Sequence, residues 1–422
     1  NLHDTTVGMA QGFPGKNNIP LLYPDGAFGT RLAGGSDAAN ARYIYTKMDV
    51  LTELIFRQED EPLLTQVIDD GDSVEPEFYV PIIPMILVNG PTAAIGTGWS
   101  CSIPNYNPLD LITGIKLWLE NAGNTQVVDP DSGETNWIYP EFVPWYRGFN
   151  GTIEPSGKNR YITRGIVVND GLATVSELPI GMWTNNFKEF LDKLIDEEKV
   201  ADVKNYCTPK DVHFVIQEFE GGMECTDETL KLHSYVHTSN MVLFDDKNKL
   251  SKYDTVNEIM DKFCEIRYEY YIKRKKHQIS GLEKDIRFLS NKERFIIEVK
   301  SGEITLITED DVGEQDLVSE LESRGYDKET IDNNDNTDEN SSGSGYEYLL
   351  RMQVRTFTAE KIRKLRDEIK STKIKLDKLK KTSEAQMWIN DLDELEVKYT
   401  EWLTEISSRK AGVKKVSVTR RK

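Results

Sequence analysis

Apolar residues recur along the chain at changing intervals, and the interval divides the sequence into four stretches. Residues 1 to about 100 mix short apolar runs with glycine, proline and aromatic residues. Residues 6–11 read as the end of a helix that Pro14-Gly15 breaks, and residues 21–29 as a turn-rich loop. Ser36 or Asp37 is placed to cap a helix starting near Ala38 and leading into Tyr43, because either side chain can accept free N–H groups of a first turn. Val50, Leu51, Leu54 and Ile55 follow at helical spacing. From about 101 to 252 short β-rich segments (164–168, 212–216) alternate with helical ones such as 187–194, predicting a smaller α+β domain. From about 253 the period lengthens. Ile272, Lys275, Ile279, Leu282, Ile286 and Leu289 step by three and four, and so do Leu365, Ile369, Thr372, Leu376 and Leu379. Such a repeat lays one seam along a helix, as in a coiled coil. Two such helices flanking a non-periodic region predict an antiparallel pair with a small domain at its far tip; two amphipathic helices of an ordinary bundle are the plainer alternative.

Two segments lack apolar pattern. Residues 331–345, IDNNDNTDENSSGSG, hold no large apolar side chain after Ile331 and are expected to form a disordered insert. Residues 414–422, KKVSVTRRK, read as a mobile basic tail that can touch nucleic acid or serve as an import signal.

A length of 422 residues exceeds what one core holds and predicts two to four domains, mostly folded and soluble at 38% hydrophobic and 29% charged residues. The longest apolar run, 80–88, carries two prolines and falls well short of the roughly 20 residues of a membrane span. No basic, apolar, small-residue leader opens the chain, which excludes a secreted protein, and the absence of an initial methionine predicts residues upstream. Cys101, Cys207, Cys225 and Cys264 lack CxxC spacing, which argues for free thiols rather than a zinc or thioredoxin-like site. The net charge of −19 points away from nucleic acid, whose binders show a basic footprint. Any DNA function has to be argued from local sites.

One such site is residues 26–46, GAFGTRLAGGSDAANARYIYT. Its glycines, Arg31, Asp37 and the Arg42-Tyr43-Ile44 run resemble the active-site segment of type IIA DNA topoisomerases. The resemblance continues in order through VEPEFYVPIIPMILVNG (74–90), IGTGWS (95–100), PWYRGFNGTI (144–153), ELPIGMWT (177–184) and NMVLFD (240–245), then Arg324-Gly325-Tyr326 and Tyr348-Leu349-Leu350. These blocks are similar to the eukaryotic topoisomerase II branch and its viral relatives. The chain departs from the pattern at Ser36, where relatives often have Lys, and in four residues rather than three at 91–94. A "YHHGE"-like segment, the Toprim signatures EGDSA, PLRGK and DxDxDG, and the ATPase half are not found.

The resemblance implies a multidomain α+β fold: a winged-helix domain over 1–100, an α/β tower domain over 101–252, and over 253–406 antiparallel coiled-coil arms ending in a small helical dimerisation domain, the C-gate, followed by the tail at 407–422. It implies an ATP-hydrolysing type II enzyme that passes one DNA duplex through a transient double-strand break in another. Tyr43 would be the nucleophile and Arg42 the cation that holds the scissile phosphate. A phenol ionises only near pH 10, so it needs a base or positive charge beside it. Ile95 matches the family's apolar wedge that unstacks a base step and bends the duplex. Gly29, Thr30 and Arg31 would meet DNA where glycines let the backbone come close, although Arg31 reads equally well as the anchor of a structural turn. Arg147, Lys158, Arg160 and Arg164 either face DNA or form a solvated surface. The implied partners are double-stranded DNA, a second copy of the chain, and Toprim and ATPase regions of the same or a partner chain. Mg2+ and ATP would be bound by those regions, and no metal ligands are assigned here. The implied location is nuclear in a eukaryote, otherwise cytoplasmic or virion-associated. A breakage subunit of a gyrase-like heteromer and a non-catalytic DNA-binding scaffold remain as alternatives.

Overall fold

A computed structural model describes residues 1–91, 94–96, 98–220, 223–305, 314–329, 345–353, 355 and 357–419, with side chains of 96, 314 and 409–419 left aside. The chain divides into two compact units, Asn1–Tyr271 with Met387–Lys422, and Ile272–Gln386.

The first unit opens with α1 (Leu2–Ala10), β1 (Leu22–Asp25), a 3-10 turn (Ala41–Tyr43), β2 (Tyr45–Met48), α2 (Val50–Ile55) and a 3-10 segment (Gln58–Leu63). Then come β3 (Gln66–Asp69), β4 (Asp72–Pro76), α3 (Met85–Val88), β5 (Ala94–Gly96), β6 (Trp99–Cys101) and α4 (Pro108–Glu120). Local chemistry sets these bounds. Asp49 and Asn107 cap α2 and α4 through bonds of 3.1 Å to the N–H groups of Leu51 and Leu109. Asp70-Gly71, both at positive φ, make the two-residue turn of the β3–β4 hairpin. The proline-bracketed run around Ile82 is buried: Ile82 and Ile83 are fully enclosed, and the Ile82 N–H bonds to the Ile55 carbonyl at 2.9 Å.

The chain continues through β7 (Gln126–Val128), β8 (Thr135–Trp137), β9 (Thr152–Pro155), β10 (Arg160–Arg164), β11 (Ile166–Asn169), β12 (Ala173–Glu177), α5 (Thr184–Asp196), β13 (Val200–Asn205), β14 (Phe214–Phe219), β15 (His233–His237), β16 (Met241–Phe244) and β17 (Leu250–Tyr253). β15-β10-β9 form one antiparallel sheet and β11-β12-β14-β13 another. Phe187, Leu191 and Leu194, spaced to one face of α5, bury against Val175, Phe214 and Ile216 of the second sheet. That alternation matches the α+β texture expected for 101–252.

Two long helices, α6 (Val256–Ser301) and α10 (Glu384–Thr419), each run through a boundary between the units. Within the first unit, the Trp388 indole of α10 stacks on Tyr271 of α6 at 5.4 Å and donates to the Ile82 carbonyl at 3.0 Å. The second unit also holds α7 (Glu314–Ser323), α8 (Glu347–Leu350) and α9 (Ala359–Lys381), capped by Thr358. α9 and α6 are antiparallel: Arg366 pairs with Glu293 and Lys380 with Glu283. Leu365, Ile369 and Leu376 form the buried seam of α9. Phe295, Ile304, Leu321, Tyr326, Tyr346 and Leu349 close a separate small core.

Three segments differ from the sequence reading. No helix starts near Ala38; residues there form turns and a single 3-10 turn, capped by Asn40 rather than Ser36 or Asp37. Residues 22–25 are strand, because they pair with Tyr45–Met48. Helical backbone continues to Thr419, into the segment read as a tail. The insert expected at 331–345 lies, except for Gly345, outside the described residues.

Candidate active site

The loop from Gly26 to Asn40 closes on itself before it delivers Tyr43. Gln11 donates its amide to the carbonyls of Phe28 (3.0 Å) and Gly35 (3.1 Å), pinning both ends of the glycine-rich stretch. Across it, Asp37 takes the Thr30 N–H at 2.8 Å and the Thr30 hydroxyl at 2.6 Å. Partial burial pushes the Asp37 carboxyl up, but those bonds from Thr30 outweigh it and hold it below its ordinary value. Two glycines are obligatory for packing. At Gly29, φ is +89° and an added Cβ would lie 2.6 Å from the Gly35 carbonyl oxygen. At Gly34, φ is +65° and a Cβ would lie 2.4 Å from the Trp183 indole, which floors the loop.

Asn40 then accepts the Arg42 N–H at 3.3 Å and starts the single 3-10 turn Ala41–Tyr43. β2 begins two residues later and is held against β1. Tyr43 therefore stands at the joint between a self-braced loop and a small sheet. Its side chain is 67% exposed, and its hydroxyl has no hydrogen-bond partner among the described residues. The Arg42 guanidinium lies over the Tyr43 ring, 4.9 Å from the centroid. An exposed phenol with a cation against it is fit to attack, or hold, an anionic phosphorus centre. Tyr45 is more exposed still, at 73%, but lies in β2 opposite Asp25. Ile95 is 82% exposed on the two-stranded β5–β6 hairpin, paired with Ser100.

The other expected DNA contacts separate into two groups. Arg31 is a correction: it is 6% exposed, and its guanidinium bonds Glu177 at 2.5 Å. Glu177 in turn receives the backbone N–H groups of Asn150 and Leu178 and the Asn150 amide. Arg147 is a second correction. It donates to the carbonyls of Asn18 and Gly12 and lies over Trp402, so its charge is spent on holding the fold. Gly29 approaches its own loop, and Thr30 is occupied by Asp37. Arg164 pairs with Asp227, whereas Lys158 and Arg160 reach the surface, Arg160 stacked on Tyr235 at 4.6 Å. Sequence reasoning missed the bracing roles of Gln11, Asp37 and Trp183. The glycine pair signalled a close approach but not what approaches it.

Among the described residues, no three His, Cys, Asp or Glu side chains converge into a group fit to hold a metal ion. No chemical step is therefore routed through a metal on this chain.

Residues 1–393 match the family model of the DNA gyrase/topoisomerase IV A-protein. A DNA topoisomerase 2 of Invertebrate iridescent virus 6 is 40% identical over 94% of this chain and 33% of its own length. One from Penicillium chrysogenum is 36% identical over 93% of this chain and 25% of its own. The chain thus spans about a third or less of these relatives. A crystal structure of the Plasmodium falciparum topoisomerase II DNA-binding, cleavage and re-ligation domain superposes with a TM-score of 0.81 at 36% identity, covering 96% of this chain and 56% of that one. Fold and site define a mixed α+β domain of that DNA-binding and cleavage class. The chain belongs to the DNA gyrase/topoisomerase IV A-protein family.

Proposed function

We propose that this chain is the tyrosine-bearing part of a type II DNA topoisomerase and that Tyr43 is its nucleophile. The observation that carries this reading is the exposed Tyr43 with Arg42 stacked on it, presented by a loop that braces itself. The Tyr43 Oη attacks a backbone phosphorus as the phenol loses its proton. The bond from phosphorus to the 3′-oxygen breaks, that oxygen leaves as a 3′-hydroxyl after taking up a proton, and the 5′-phosphate stays on the tyrosine. Reversal reseals the strand without loss of the phosphodiester energy. Arg42 stabilises the phosphate oxygens. Ile95 enters the duplex between base pairs and bends it, while Lys158 and Arg160 add backbone contacts.

On this reading 1–100 form a winged-helix domain, 101–252 a tower, and 253–406 coiled-coil arms with a C-gate that joins two copies, since two tyrosines must cut two strands. Mg2+ and ATP would act through Toprim and ATPase regions outside this chain. A family defined on one polypeptide of a gyrase-type assembly supports a variant in which those regions lie on a partner chain, whereas the topoisomerase 2 relatives support one longer chain.

Covalent trapping tests the proposal. The complete protein, Toprim region included, is mixed with plasmid and magnesium and quenched with detergent. Linked protein–DNA should form with wild type and vanish in Tyr43→Phe. Equal trapping in Tyr43→Phe would move the nucleophile elsewhere. No trapping in either, with DNA binding intact, would leave a non-catalytic scaffold.

A further inference from the structure

We infer that the outer edge of α9 is a second duplex-binding surface, separate from the one at Tyr43. This rests on the DNA reading above and assigns it a place that Tyr43 does not reach.

In a chain of net charge −19, the 23 residues of α9 carry ten Lys or Arg against four Asp or Glu. The distribution along the helix is more telling than the count. Arg363, Arg366, Lys370, Lys373, Asp377 and Lys380 step by three, four, three, four and three. That spacing puts all six along one line of the helix. All are exposed, and the line is displaced from the buried seam of Leu365, Ile369 and Leu376. Five are cationic. Arg366 and Lys380 lean on Glu293 and Glu283 in exposed pairs of small worth. Arg363, Lys370 and Lys373 have no acidic partner among the described residues. Arg366, Lys370 and Lys373 line a groove of about 330 Å³ together with Ile369 and Ile374.

A solvated surface would not need three unpaired cations in register when acidic residues outnumber basic ones 71 to 52 in the chain. At a rise of about 1.5 Å per residue the line is about 26 Å long, with a charge every 4.5–6 Å or so. A duplex presents a phosphate about every 3.4 Å per strand, so the line spans some seven to eight base pairs of backbone. Flexible Lys and Arg on a straight helix suit a regular polyanion and carry no base-specific donors, so the contact is independent of sequence.

The test uses the full chain in the Tyr43→Phe background, so that strand cleavage does not enter. Arg363→Gln, Lys370→Gln and Lys373→Gln are combined; glutamine keeps helix propensity and leaves Glu293 and Glu283 paired. Circular dichroism and the melting temperature should not change. Duplex affinity is measured by fluorescence anisotropy against salt. The log–log slope should become shallower by about 2–3, near 0.9 for each lost phosphate contact. A chain already holding one immobilised duplex should also lose capture of a second labelled one. An unchanged slope and unchanged capture in a normally folded variant would overturn the inference. Covalent trapping with Tyr43 intact reports separately, so either reading can fail alone.

Discussion

Arg31 separates a structural cation from a DNA ligand, and its surroundings set the size of the effect. Arg31→Met keeps an unbranched stem to fill the space and removes only the charge. It leaves the Glu177 carboxylate, fully buried, without its cation. Breaking a buried pair from one side costs about 3–5 kcal/mol. Three donors remain on Glu177, from the Leu178 N–H at 2.9 Å and from the Asn150 N–H and amide at 3.2 Å each. The expected loss therefore lies near the lower bound, about 3 kcal/mol, or a fall in melting temperature of about 6 °C for a unit of this size. Denaturant unfolding followed by circular dichroism, with the transition of the first unit fitted separately, measures it. Glu177→Leu on top of Arg31→Met should restore part of the loss, because an apolar pair removes the stranded charge. If Arg31→Met unfolds within about 0.5 kcal/mol of wild type, while its DNA affinity falls with a salt slope shallower by about 1, Arg31 is a phosphate ligand and the ion pair is incidental.

Ile95→Ala should leave stability unchanged, because the side chain is exposed, yet reduce bending of a duplex labelled for energy transfer; equal bending would remove the wedge role. Trp388→Ala deletes an enclosed indole stacked on Tyr271 and strips the Ile82 carbonyl of its donor. It should cost about 3–5 kcal/mol, read by urea unfolding, and a cost below about 1 kcal/mol would mean that α10 is not anchored there. The Asp37 carboxyl is held below its ordinary value in the fold, so its bracing of Thr30 is fully present above the unfolded pKa near 4. It is lost as pH falls through the lower folded value. Protection of the Thr30 amide against hydrogen exchange should fall on acidification below about pH 4, and protection that held constant or rose would refute the role.

Periodicity was the legible part. The three-and-four steps in 272–289 and 365–379 foretold two long helices, and α6 and α9 are those helices, antiparallel as their ion pairs require. Alternating short segments foretold the sheets packed on α5. The loop before Tyr43 was not legible, because it is built from long-range bonds. Gln11 reaches Phe28 and Gly35, and Trp183 lies against Gly34. Propensity favoured a helix at Ala38, and the Thr30–Asp37 clasp overrode it by using the expected cap for another N–H. The charges misled for the same reason. Nothing near Arg31 or Arg147 in sequence reveals a partner 146 residues away at Glu177 or a carbonyl 135 away at Gly12. A glycine-flanked arginine reads alike whether its partner is a carboxylate or a phosphate.

The Tyr271–Trp388 stack also bears on how such a chain can vary through descent. It closes the first unit at the point where the polypeptide departs into the second and comes back. Everything between is, for the first unit, one loop with its ends already joined. Lengthening a closed loop is cheap, about 0.6 kcal/mol for each doubling. Insertions and deletions between residues 272 and 386 can therefore accumulate with little penalty to the framework that presents Tyr43. The catalytic part and the inserted part are free to diverge at different rates, joined by a seam of two aromatic rings.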